Sequence, residues 1–164
     1  MAIAESASID RTNLTSQSYA NIYNLIKDNI TDPAGVANRK FIYTREPSVK
    51  SPNDEGYPLI IIWPLQLSQD VPSLSMTTKE LTWEMEIEVR STDREKEGMA
   101  YMEQINDELF ELFNSVTNRN TLMGYGMQNI TLSQDDVDYV ETAQESVYVA
   151  TFTLTFRRRT LVSE

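Results

Sequence analysis

The sequence predicts an α+β fold, a mostly antiparallel sheet with two helices packed on one face, in the order helix, three strands, helix, two strands. Three patterns carry that expectation. Apolar residues recur at helical spacing near residues 13–30 and again near 94–116. Residues 80–91, ELTWEMEIEVRS, alternate apolar and polar side chains without a break. Residues 145–157, ESVYVATFTLTFR, alternate in the same way with threonine on one side. The 164 residues fit one domain, read as a loose arm over residues 1–12 and an α+β core over 13–160.

The first helix gathers Leu14, Ile22, Leu25, Ile26 and Ile30 on one stripe, with Tyr19 and Tyr23 beside it. Thr12 or Asn13 supplies a capping oxygen, and Pro33 stops the pattern because proline has no backbone N–H to donate. The small polar residues before it suit an arm that orders on a partner. RKFIYT, residues 39–44, reads as a short strand, and residues 46–56 as a loop punctuated by Pro47, Pro52 and Gly56. YPLIIIW, residues 57–63, is a bulky β-branched run suited to a central strand, with Pro58 near its start and Pro64 just past its end. Residues 64–78 read either as a long loop folded over the sheet or as a protruding hairpin.

In the strand over 80–91, Leu81, Trp83, Met85, Ile87 and Val89 share one side, while Thr82, Glu84, Glu86, Glu88 and Arg90 share the other. At about 3.4 Å per residue it extends roughly 40 Å, a length that needs a neighbouring strand. The second helix, over 94–116, places Met99, Met102, Ile105, Leu109, Leu112, Phe113 and Val116 on one stripe, with Asp93 as its cap. TNRNTLMGYG, residues 117–126, breaks it through Asn118, Asn120, Gly124 and Gly126. Strands near 127–134 and 145–157 close the chain, joined by the acidic, solvated segment SQDDVDYVETAQ.

Composition narrows the chemistry. The chain has no histidine, which excludes a Ser-His-Asp triad, a His-ligated zinc and an imidazole base. It has no cysteine, so thiolate nucleophiles, iron–sulfur ligands and disulfides are excluded too. A formal charge of −11, from 25 acidic and 14 basic side chains, opposes binding to polyanions such as duplex DNA. The amino terminus lacks the basic flank and apolar stretch of a secretory signal, and no run is apolar enough to span a membrane. The expected location is therefore the cytoplasm or a particle assembled in it. The Asn-x-Ser/Thr triplets at Asn13, Asn29 and Asn129 are then chance matches.

No residue set carries catalysis, and no cofactor or metal is expected. Asp135, Asp136, Asp138 and Glu141 form the densest acidic group, but their spacing fits no calcium-loop pattern and suits a solvated loop. GYG at 124–126 does not lie between a strand and a helix as a phosphate-binding loop does. Two features instead suit a lumen or a subunit interface. Glu84, Glu86 and Glu88 repeat every second residue on the wet side of the long strand, either as an ordinary solvent face or as an acidic wall. Arg157, Arg158 and Arg159 close the last strand, either as a soluble chain end or as partners for acids of an adjacent subunit. Alternation turns at least one of these arginines to the opposite face.

The first helix leading into RKFIYTREP, the YPLIIIW strand, the long LTWEMEIEVRS strand, the helix MEQINDELFELFNS and the closing VYVATFTLTFRRR together resemble the tail terminator (tail completion) proteins of long-tailed phages and tailed archaeal viruses. The likeness is one of layout over residues 14–160. It implies a structural virion protein without enzymatic activity, assembled in the host cytoplasm and located in the neck of the particle. It also implies a hexameric ring that caps the tail tube protein, halts tube polymerisation and meets the head-completion or connector protein. Loops 46–56 and 64–78 would contact tube and connector, and Glu84, Glu86 and Glu88 would line a channel through which DNA passes without specific binding. The competing readings are another neck, connector or minor tail protein, a small carboxylate-dependent hydrolase, and a cellular binding module. Oligomer mass separates ring from enzyme.

Overall fold

A computed structural model describes residues 14–35, 40–46, 57–75, 78–92, 95–141 and 146–161. The residues expected to form the amino-terminal arm, the Thr12, Asn13 and Asp93 caps, and most of the 46–56 loop lie outside the described residues. Among the described residues the fold is α+β, with three helices and a mixed seven-stranded sheet. Its elements are α1 (Leu14–Asn29), β1 (Ile42–Tyr43), β2 (Leu59–Ile62), β3 (Gln66–Ser75), β4 (Thr78–Thr92), α2 (Glu95–Asn114), α3 (Val116–Gly124), β5 (Gln128–Gln134), β6 (Asp138–Glu141) and β7 (Ser146–Leu161).

β4 and β7 form the spine, antiparallel and in register from Thr78 opposite Leu161 to Thr92 opposite Val147. Each has its other edge shared by two shorter strands. β3 pairs with the first half of β4 and β2 with the second, while β5 and β6 divide the outer edge of β7. Period-two alternation then sorts the side chains. Trp83, Met85, Ile87 and Val89 of β4 and Ala150, Phe152, Leu154 and Phe156 of β7 are buried on one face. They join Ile22 and Ile26 of α1 and Met102, Ile105, Leu109, Leu112 and Phe113 of α2 in one apolar cluster. β2 lies between β1 and β4 and is buried at all four positions, as its continuous apolar run requires.

Two contacts fix the helices to the sheet. The Tyr19 hydroxyl donates to the Ile62 carbonyl at 2.7 Å. Ser91 Oγ donates to the Gly98 carbonyl at 2.6 Å, where α2 approaches β4 so closely that a Cβ on Gly98 would collide with the Thr92 carbonyl. No helix among the described residues is long and apolar enough to cross a membrane.

The structure corrects or decides the expected layout in four places. β1 pairs with β2 in parallel, so the sheet is mixed. Residues 66–75 form an edge strand in a hairpin with β4, the second of the two readings of that stretch. Pro72 lies where the register shifts between Val71 and Ser75, a place in a ladder that tolerates a missing N–H. The solvated connection after β5 contains a short strand, β6, on the edge of β7.

The fourth correction is to the second helix, which ends at Asn114. Ser115 turns to extended geometry and caps a third helix through the segment expected to be a break, its Oγ accepting from Asn118 N at 3.4 Å. Asn118 Nδ2 and Arg119 Nε donate to the terminal α2 carbonyls of Leu112 and Phe113, and Leu122 is buried in the core. These contacts outweigh the weak helix propensity of the asparagines and threonines.

Candidate functional site

The sheet face turned away from the helices carries the residues singled out for function. On β4, Thr82, Glu84, Glu86, Glu88 and Arg90 alternate with the core residues and so share this face. The register makes polar rows across three strands: Glu84, Thr155 and Thr131 in one, Glu86, Thr153 and Ser133 in the next. Glu88 stands opposite Thr151, with Ile61 on its other side. Threonine suits this face because its branched Cβ fits the pleat while its hydroxyl stays available to water.

The three glutamates are not equivalent. Arg90 donates through Nε and Nη2 to Glu88 Oε2, at 3.0 and 2.8 Å. Through Nη1 and Nη2 it also forks onto the two oxygens of Glu46, the second at 2.9 Å. Burial works against the Arg90 charge, but its hydrogen bonds to Glu46 and Glu88 outweigh it and hold the guanidinium above the ordinary arginine value. Glu88 is thereby ion-paired within the chain, sharing the single Arg90 charge with Glu46. Glu84 and Glu86 have no hydrogen-bond or ion-pair partner for their carboxylates among the described residues. They border a shallow depression of about 180 Å³ that Trp63, Pro64 and Gln66 complete. The Trp63 indole nitrogen is buried without an acceptor among the described residues.

The three closing arginines separate. Arg157 is exposed and faces the polar side, opposite Thr82 and Gln128. Arg158 points into the core side and is 3% exposed. Arg159 stands at the register position opposite Glu80. Sequence reading missed the Arg90–Glu46 fork and the burial of Arg158. The first left a partial signal, since Glu88 and Arg90 share a face two residues apart.

Asp135, Asp136, Asp138 and Glu141 are all exposed, and no group of three or more such side chains gathers to hold a metal ion among the described residues. A second surface runs along the outer edges of β5 and β6. There Val137, Tyr139 and Val140 are exposed, and the Tyr139 ring packs against Tyr148 with centroids 4.9 Å apart. Near β5, Met123 of α3 and Arg119 line a groove with Gln128–Thr131. Its floor is kinked where Asn129 takes φ 52° and the β5–β7 register shifts. The arrangement offers carboxylates, hydroxyls and open strand edges, suited to contact with another protein and to repelling a polyanion. No protein-family model matches the chain, and no curated protein does either.

Proposed function

We propose that this chain is a structural subunit of a viral tail, a terminator whose copies close into a ring on the tail tube, stop its growth and present a surface to the head connector. The observation that carries the reading is the polar face of the β4–β7 spine, with Glu84 and Glu86 left without partners among the described residues beside neutral Thr153 and Thr155. Near Glu84 and Glu86 such a face repels phosphates, its described cations being Arg90, held by two carboxylates, and the exposed Arg157 opposite Thr82, in a chain already at −11. The outer edges of β3 and β5 support the oligomeric part of the reading, because among the described residues each pairs on one side only and offers its other edge to a neighbour.

The test is negative-stain imaging of the purified chain, alone and with tail tubes, together with its mass by sedimentation. Rings, or rings formed only at tube ends, are the expected result. A chain that stays monomeric at every concentration and never sits on a tube end overturns the proposal.

A further inference from the structure

Arg158 is the anomaly of the structure. It follows Phe156 on the core side of β7, and its only hydrogen bond among the described residues runs from Nη1 to Ser18 Oγ at 2.8 Å. Its Nε is buried with no acceptor, and no carboxylate pairs with it among the described residues. A guanidinium has five N–H donors and stays charged at any pH the protein meets, so one hydroxyl oxygen leaves it far from satisfied. Burial accordingly pushes it below the ordinary arginine value. Arg90 in the same sheet, with two carboxylates, has the complement that Arg158 lacks.

The surroundings favour an anion. Ser18, the one described partner, lies in the second turn of the sixteen-residue α1 and supplies a hydroxyl oxygen rather than a charge. Gly126, with φ 91°, covers it without a side chain; a Cβ there would stand 3.5 Å from Nε. Because Gly126 itself is only half-buried, Arg158 lies about one backbone layer below the surface.

We propose that Arg158 is the receptor for a carboxylate brought by a second copy of the chain, bound on the Nε side of the guanidinium when copies associate. The parallel N–H groups of that side match the two carboxylate oxygens, and a second copy is acid-rich, with 25 acidic against 14 basic side chains. The inference rests on the ring-forming reading above.

The test compares the full-length wild type with Arg158→Met and Arg158→Lys. Thermal melting is followed at low concentration and self-association by sedimentation equilibrium. Arg158→Met is expected to leave the dilute chain as stable as wild type or more so, because it removes a charge the monomer leaves unpaired. It should weaken association about tenfold or more, the scale of one charge-assisted fork. Arg158→Lys keeps the charge without the fork and should restore association only in part. In wild type, the Nε–H resonance of Arg158, identified by its loss in Arg158→Lys, should move and exchange more slowly with water as copies associate.

Association unchanged in Arg158→Met overturns the proposal and leaves the ring reading standing. A dilute chain destabilised by Arg158→Met, and non-additively with Glu5→Gln or Asp10→Asn, also overturns it, because the carboxylate is then the chain's own. If Arg158→Met does not fold, the resonance decides: a signal identical in dilute and associated wild type overturns the assignment. A wild type that never associates removes the ring reading itself.

Discussion

Arg90 and Arg158 stand on opposite faces of one pair of strands, and their surroundings differ in kind. Arg90 lies on the polar face, partly open to water, and holds Glu46 and Glu88 in a charge-assisted fork. Arg158 lies on the apolar face at 3% exposure, beside a single serine hydroxyl. The same alternation that puts Phe156 in the core puts Arg158 there two residues later. Among the described residues, the polar face leaves Glu84 and Glu86 without partners, while the apolar side leaves one cation short of acceptors, along with the Trp83 indole nitrogen and the Asn106 amide oxygen. The unmet charges on the two faces are of opposite sign, which makes the contrast between faces testable.

The sharpest break is substitution of adjacent residues on β7. Phe152→Ala opens a cavity in the core and should cost about 3–5 kcal/mol in urea unfolding, while its neighbour Thr153→Ala on the polar face should change stability by about 0.5 kcal/mol or less. Comparable costs for the two would mean that the faces are not sorted as described. Gly98→Ala tests the closest helix–sheet approach. Its methyl group cannot coexist with the Thr92 carbonyl, and a loss of about 2–3 kcal/mol is expected in the same assay.

Tyr19→Phe removes the hydroxyl that donates to Ile62 and should cost about 1 kcal/mol. Tyr19 also gives a pH signature. Burial, with a smaller contribution from Tyr23, raises it above the ordinary value of 10.0 in the folded chain. Its contribution is therefore fully present below that value and lost as pH rises through the folded value. Melting of wild type relative to Tyr19→Phe, followed from about pH 9 to about pH 11, should converge at the alkaline end. The smallest effect on stability belongs to Glu84→Lys with Glu86→Lys. Unfolding should shift by about 0.5 kcal/mol or less, while the proposed tail role predicts impaired DNA passage or particle assembly. Normal infectivity of particles carrying both changes would remove the acidic-wall role.

The strands of the spine were legible because their alternation is local: each residue from Leu81 to Arg90 declares its face through its neighbours two positions away. β2 was equally plain, since a strand buried on both sides has nothing polar to break the run. The features that escaped depend on distant partners. α3 is held by the Ser115 cap, by Arg119 on Phe113 and by the burial of Leu122, none of which a propensity reading of TNRNTLMG weighs. β3 hides behind Pro72 and its serines, and the parallel direction of β1 is set by β2, which lies beyond a long connection. At the candidate site, the common face of Glu84, Glu86 and Glu88 was readable. The tie of Glu88 to Arg90 left a local trace, but the fork onto Glu46 did not, because Glu46 reaches Arg90 from 44 residues away.

The length of the β4–β7 ladder has a mechanical consequence. Its fifteen register pairs run antiparallel over the whole of β4, so tension drawing the two strands lengthwise past each other loads their rungs together, in shear. A force that peels them apart from one end meets the rungs singly. A chain built on this spine resists sliding far better than unzipping, and a pulling experiment along the strand axis should find its stiffest direction there.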